Sequence, residues 1–370
     1  MSSLTDSTGN RTTALRLGRH VGAVALYDCS EQPPEGALEG ERLCLVAVHA
    51  LRSASAVLSP ELKPSSSVIL VLGGTDVNEF ASQPAARQIM DRVVARSRFV
   101  VAFSPALASL FVSLWPAAAS RLTTIPPAVE VFDPLSSPAM SSRIISSFSS
   151  LSSSQPLSLR ANFPQLLPTD AVLLLPAGLR PVKDPLLLAD AIEAWSGSVP
   201  PPPFRLFLLV VGPRLDPSFC EGFFRRVAPS PWLLYHEAVP SGLLHASMGD
   251  FAAVINSSHS EGLSNVLLEA MHLRVPVIAR SIPGNRAVVS HLHTGLLFDH
   301  PQEVPLLVQR LLTESSFRQG LVDRAHAFVT SSYSLDSERL AYRQLVAACF
   351  HPDPRPSMPC DAKSENRLLL

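Results

Sequence analysis

The chain has 370 residues, enough for two domains of roughly 150 residues with a connection and a tail. Hydrophobic residues make up 46%, so a sizeable core can form, and 30 Lys+Arg against 31 Asp+Glu leave a net charge of -1. That balance excludes the basic surface a nucleic-acid partner would need, and it excludes a self-repelling acidic chain.

Met1–Asp6 has neither a basic flank nor an apolar stretch, so it does not read as a secretory signal. No apolar run approaches the ~18–20 residues of a membrane-spanning helix. Cys29, Cys44, Cys220, Cys349 and Cys360 are odd in number, scattered and without a CxxC pair. That excludes a disulfide framework and a zinc site, and the expected setting is the reducing cytoplasm.

Short apolar runs predict strands at Leu43–Val48, Val68–Leu72, Phe99–Phe103 and Leu122–Ile125 in the first half. Further runs follow at Ala171–Leu175, Arg205–Val211, Trp232–Tyr235, Phe251–Ile255, Val275–Ala279 and Leu296–Phe298. Helical patterns such as Pro84–Ala95 and Pro185–Trp195 lie between them. Continuous apolar strands separated by helices imply parallel sheets covered on both faces. The expected fold is α/β, with two doubly wound Rossmann-like domains facing across a cleft.

The expected boundaries are residues 1–135 for a first domain and 136–168 for a Ser/Pro-rich linker or insertion. Residues 169–330 form a second domain, 331–350 a terminal helix and 351–370 a disordered tail. Serine dominates Ser136–Ser158, and proline clusters recur among the chain's 34 prolines. No internal repeat is visible. No Gly-x-Gly-x-x-Gly follows a strand, which speaks against a nicotinamide-dependent enzyme.

Ligands of such sheets sit beyond the carboxyl ends of the strands. There, Ser260-Glu-Gly-Leu-Ser-Asn-Val-Leu-Leu-Glu-Ala-Met271 runs from a strand through a loop into a helix. Gly262 allows close backbone approach, and Ser264 is the expected helix cap. The free amides of the first helical turn form an anion site. Glu261 and Glu269 can each accept paired hydrogen bonds from vicinal hydroxyls. Taken alone, the segment is equally a strand-to-helix turn with two solvated glutamates. A second strand-to-helix loop, Leu174–Pro185, carries Arg180 and Lys183 ahead of Asp184, the expected N-cap with Pro185 at the first helical position. Two cations beside a helix start could neutralise a diphosphate.

These segments resemble the retaining glycosyltransferases of family 4, which have the GT-B fold. The likeness is carried by Gly178–Lys183, Val210–Gly212, Ser260–Met271, Val275–Ala279, Ile282–Asn285 and Thr294–Phe298. A narrower likeness within that family, carried by Gly73–Glu79, Lys183–Pro185 and Ile282–Asn285, reaches over most of residues 8–345. The resemblance implies a nucleoside-diphosphate sugar as donor substrate, no cofactor, no metal, and an acceptor that the sequence does not identify. It implies that Arg180 and Lys183 hold the diphosphate, that Glu261 contacts the transferred sugar, and that Glu269 takes the ribose. Gly178, Gly262, Ser264, Asn265 and Val266 would line the donor, with the backbone around Val239 beside the base. No Asp-x-Asp metal signature occurs, Glu39-Gly-Glu41 being the nearest approximation.

Two departures from the family pattern stand in the first half. The glycine-rich loop survives as Gly9-Asn10, but Met1–Ser7 is polar, so the first strand is expected to be missing and the amino-terminal domain incomplete. The family's acceptor-side histidine is replaced in Gly73-Gly74-Thr-Asp76. Asp76 is then the candidate to orient sugar hydroxyls, with His49 either a cleft residue or a satisfied loop histidine. The expected activity is retaining, metal-independent transfer of a hexose. A sugar-nucleotide-binding protein without a competent acceptor half is the alternative. Another enzyme on the same fold, an epimerase or a phosphorylase, has no feature in its favour.

Overall fold

The computed structural model describes residues 16, 17, 19, 43–131 and 158–350. The expectations about Gly9, Asn10, the first strand, most of the serine-rich segment and the tail lie outside them. The chain divides into two compact units, 1–128 with 333–370, and 129–332.

The first unit carries β1 (Cys44–Val48), β2 (Ser67–Val71), β3 (Phe99–Ala102) and β4 (Leu122–Thr124), parallel and in the order β1-β2-β3-β4. β2 is buried along its whole length, as its unbroken Ser-Val-Ile-Leu-Val run requires. Side chains alternate between the faces of a strand, so the two strands at the centre of this sheet build two cores. Val68, Leu70 and Val100 meet Met90 and Val93 of α1 (Pro84–Arg96) and Phe111 of α2 (Pro105–Leu114). Pro84 and Pro105 open these helices, and Ser104 Oγ caps α2 by accepting from Leu107 N at 3.2 Å.

The second unit is a six-stranded parallel sheet in the order β10-β9-β8-β5-β6-β7. Its strands are β5 (Ala171–Pro176), β6 (Leu206–Val211), β7 (Leu233–His236), β8 (Ala253–Asn256), β9 (Val277–Arg280) and β10 (Leu296–Phe298). The helices between them are α3 (Ala189–Ser196), α4 (Pro217–Val227), α5 (Ser241–Met248), α6 (Asn265–His272) and the short α7 (Pro283–Arg286), followed by α8 (Val304–Thr313) and α9 (Ser315–Ser332). α4 shows how local sequence sets such a helix. Asp216 accepts from Phe219 N, Pro217 occupies the first turn, and Arg225 and Arg226 lie in the last, where the helix dipole favours cations. The chain winds outward through β5, β6 and β7, then returns to lay β8 against the free side of β5. Strand order therefore reverses between β5 and β8, the switch point where open α/β sheets bind ligands.

One boundary is corrected, and the expected terminal helix is found and given its place. Residues 158–168, assigned to the linker, belong to the second unit. Leu159 is fully buried and its amide donates to Ser247 Oγ at 3.1 Å, while Arg160 donates to the carbonyls of Leu167 and Asp170. The terminal helix α10 (Leu335–Phe350) is part of the first unit. Its Tyr342, Leu345 and Cys349 cover Ile69, Val71 and Val101, the sheet face opposite α1 and α2. Near its start, Glu338 pairs with Arg16 through two bonds, 2.7 and 3.0 Å, and both side chains are buried.

Removing one partner of that pair strands a buried charge. Glu338→Ala is expected to destabilise the first unit by about 3–5 kcal/mol, read as a lowered midpoint in urea denaturation. A midpoint within error of wild type would show that the pair is not buried in solution.

Candidate functional site

The switch point brings together the two loops carrying the chemistry-bearing residues. Beyond β5, residues 177–184 pass through a tight turn in which Lys183 N donates to Arg180 O at 3.1 Å. Beyond β8, residues 257–264 lead into α6. Because β5 and β8 pair directly, Leu173 with Ala253 and Leu174 with Val254, the loops meet, and Lys183 Nζ donates to Glu261 Oε1 at 2.5 Å. The same oxygen accepts from Ser258 Oγ at 2.7 Å and Asn256 Nδ2 at 3.2 Å. All three bonds fall on Oε1 and none on Oε2.

Arg180 sits three residues before Lys183, half-buried, and its Nε is enclosed without a hydrogen-bond partner. A buried guanidinium nitrogen left unpaired is costly. The expected cap at Asp184 is not found. Asp184 adopts a left-handed conformation, φ 44°, and ends a short 3-10 turn over Pro181–Lys183. α3 begins only at Ala189, and the Asp184 carboxylate turns sideways to His259 Nε2 at 3.0 Å and Arg280 at 3.4 Å. A pairing with His259 of the loop after β8 and Arg280 at the end of β9 outcompetes the local capping bond.

Ser264 occupies the N-cap position of α6, yet its hydroxyl makes no capping bond and accepts from Asn256 Nδ2 at 3.1 Å. The first-turn amides, from Asn265 and Val266 onward, are thereby left uncapped. One turn further, Glu269 receives His245 Nε2 on Oε2 at 3.2 Å. His245, on α5, is buried, so it clamps one oxygen of Glu269 from below and Oε1 stays open. Both glutamates thus share one design, with one oxygen tied down and the other presented. At the far end of α6, burial and the neighbouring His326 and His245 hold His272 below the ordinary histidine range.

The glycines fall into packing roles. A Cβ on Gly178 would meet Leu215 Cδ1 at 2.5 Å, and one on Gly212 would meet Ala177 O at 2.1 Å. Gly284, at the start of α7, lies against the backbone of Glu261, whose carbonyl oxygen a Cβ would approach to 2.1 Å. Gly262 lies half-buried in the Glu261 loop, and Val239 in the loop between β7 and α5. A cavity of about 890 Å³ opens at the opposite end of the strands, by the amino ends of β5 and β8 beside Asp170 and Phe251, and none of the paired loop residues line it.

In the first unit, His49 and Asp76 also lie beyond strand ends, but both are fully buried. Asp76 does not face a hydroxyl. Its Oδ2 accepts from Ala50 N at 2.9 Å and Gly73 N at 3.0 Å, and its Oδ1 from Val77 N at 2.9 Å. The carboxylate is a staple between the β1 and β2 loops. Gly74 only opens the one-turn helix Gly74–Asn78, its carbonyl accepting from Asn78. His49 takes a left-handed φ of 74° and bonds Thr75 Oγ1 at 3.0 Å, its ring against Phe80. It is the satisfied loop histidine.

No helix among the described residues is long and apolar enough to cross a membrane. Among them, no three His, Cys, Asp or Glu side chains gather as a metal-ligand set.

Sequence reasoning missed Asn256, Asn285, Ser258 and His245, which tie the acidic anchors from beneath. Asn285 falls in the Ile282–Asn285 segment that carries the family likeness, and Asn256 directly follows the expected strand Phe251–Ile255, whereas His245 stands in no segment the sequence singled out.

Gly284→Ala is expected to push the Glu261 loop aside at about 1–3 kcal/mol, visible in thermal denaturation as a loss of stability. The first unit supplies a pH test. Burial, together with Arg52, lowers the His49 pKa to about 4, so the unfolded chain binds the extra proton and stability rises from pH 4 to 6.5. Burial raises the Asp76 pKa to about 7 against its amide donors, so the folded chain binds the extra proton and stability falls from pH 4 to 7. The two slopes oppose each other. Asp76→Asn is expected to uncover the rising one and His49→Gln the falling one, in urea denaturation at pH 4, 5, 6 and 7. Matching profiles in both variants would contradict these burials.

Comparisons with known proteins identify the family and the fold. Residues 234–328 match the family described as glycosyl transferases group 1. The chain is 32% identical over 348 residues to the glycosyltransferase 1 domain-containing protein 1 of Xenopus tropicalis, covering 92% of this chain and 94% of that one. It is 28% identical over 163 residues to a D-inositol 3-phosphate glycosyltransferase of Jonesia denitrificans, covering 42% of this chain and 38% of that one. Among solved structures, Anabaena HepE in complex with UDP-glucose superposes with a TM-score of 0.63 at 15% identity, over 82% of this chain and 78% of that one. Sucrose-phosphate synthase from Thermosynechococcus elongatus gives 0.60 at 19% identity, over 82% and 74%. The two parallel-sheet units have the GT-B fold, and the chain belongs to the group 1 glycosyl transferases.

Proposed function

We propose that the second unit binds a nucleoside-diphosphate sugar at the β5–β8 switch point, and that the protein transfers a hexose from it to an acceptor hydroxyl with retention and without a metal ion. The observation that carries this reading is the Lys183–Glu261 pair beside the uncapped start of α6 and the unpartnered Arg180 Nε. Each is what a diphosphate sugar would use. The phosphates take the α6 amides and the two cations, the ribose takes Glu269 Oε1, and the transferred sugar takes Glu261 Oε2. The base would lie by the Val239 backbone, with Gly178 and Gly262 keeping the loops close. UDP-glucose bound to HepE makes a uridine nucleotide the natural first probe.

Retention in this geometry needs no protein nucleophile. The new C–O bond forms on the face from which the diphosphate leaves, and the acceptor proton passes to an oxygen of the departing phosphate. Catalysis then rests on positive charge fixed where negative charge grows on the leaving group, and on holding the acceptor in line. Arg180 and Lys183 supply the charge that a metal ion provides elsewhere. A second reading is a sugar-nucleotide-binding protein without turnover. It is favoured by Asp76 and His49, whose burial leaves neither to meet an acceptor in the first unit.

Charge-assisted hydrogen bonds contribute about 1.5–3 kcal/mol each, so Lys183→Ala and Arg180→Ala are each expected to weaken UDP binding about tenfold or more in calorimetry. Glu269→Gln is expected to weaken UDP and uridine alike. Unchanged affinities in all three variants would remove the assignment. Release of free UDP from UDP-glucose by wild type separates the enzyme from the binding protein, which would show thermal stabilisation alone.

A further inference from the structure

Two asparagines outside the proposed chemistry sit beneath the Glu261 loop. Asn285, the third residue of α7, is completely buried. Its Nδ2 donates to Asn256 Oδ1 and to Arg280 O, each at 3.0 Å. Asn256, the last residue of β8, receives a second bond on Oδ1 from Ser258 N at 3.1 Å. A backbone N–H can be accepted only by the amide oxygen, so these bonds fix which way the Asn256 amide faces. Its Nδ2 is thereby aimed at Glu261 Oε1 and Ser264 Oγ.

We infer that Asn256, oriented by Asn285, is a positioning residue that keeps the donor site open at two places at once. It helps gather every tie of Glu261 onto Oε1, so Oε2 faces the sugar. It also draws the Ser264 hydroxyl off the α6 amides, which a serine at that position would otherwise occupy. A diphosphate then meets amides that no side chain has filled. The inference rests on the donor-site reading above, because it assigns those amides to the phosphates.

The test compares wild type, Asn256→Ala, Asn285→Ala and the double variant Asn256→Ala/Ser264→Ala. In the ligand-free protein, site-resolved hydrogen exchange is expected to slow about fivefold at Val266 or Leu267 in Asn256→Ala, as Ser264 becomes free to cap. In calorimetry, Asn256→Ala is expected to lose about tenfold in UDP affinity with uridine affinity unchanged, and Asn285→Ala to lose less in the same direction. Removing the competing hydroxyl in the double variant recovers part of the UDP loss. A purely structural role would instead weaken uridine equally and show no recovery. Should Asn256→Ala not fold, Asn285→Ala is read against the same exchange and calorimetric outcomes. If wild type binds UDP and the variants bind it equally, or if exchange at Val266 and Leu267 is unaltered, the inference is overturned. If wild type itself does not bind UDP, the donor-site reading falls, and exchange alone decides the Asn256–Ser264 relation.

Discussion

The pairing of β8 with β5 is the constraint on which the rest of the second unit depends. Only two residue pairs define its register, Leu173 with Ala253 and Leu174 with Val254. They join strands some eighty positions apart in sequence and place two loops side by side. Lys183 and Glu261 can then share a hydrogen bond although neither loop encodes the other. A one-residue slip would move the loop after β8 by about 3.3 Å along the strand and pull Glu261 away from Lys183, so the register of Ala253–Asn256 sets the chemistry as much as the charged residues do.

The first unit obeys a different logic. Its conspicuous polar residues at strand ends, His49 and Asp76, are consumed by structure. Asp76 gathers three backbone amides, and His49 accepts a strained φ in return for a buried bond and a ring contact. Groups committed in this way resist recruitment to catalysis, because freeing them would leave buried amides unpaired. At the switch point of the other unit the polar side chains are only partly committed: Arg180 Nε has no partner, and the bonds of Glu261 and of Glu269 each fall on a single carboxylate oxygen.

Much of this was legible in the residues. Apolar runs located the ten strands among the described residues to within two residues at either end, because most of these parallel strands are buried on both faces and leave little room for polar interruption. The acidic anchors and cations were legible because they stand at strand-to-helix junctions. Illegible features were those settled by partners far away in sequence. Asp184 reads as a cap from its neighbours and becomes an ion-pair partner through His259 and Arg280. The Leu335–Phe350 helix is legible as a helix, but not as the cover of the first sheet's second face. Leu159 is hidden by the serine run before it, and its burial comes from α5.

Ser264 carries the same lesson into energetics. A serine at an N-cap normally contributes about 0.5–2 kcal/mol by accepting from its own helix. Here that bond is absent, and the hydroxyl is spent on Asn256. The exchange is close to neutral for the fold, one neutral hydrogen bond replacing another. It is not neutral for an anion, since amides on a helix start attract a phosphate far more strongly than they bind a hydroxyl. Ser264 is therefore best understood as a cap held in reserve: small enough to leave the helix start accessible, and tethered so that it does not close it.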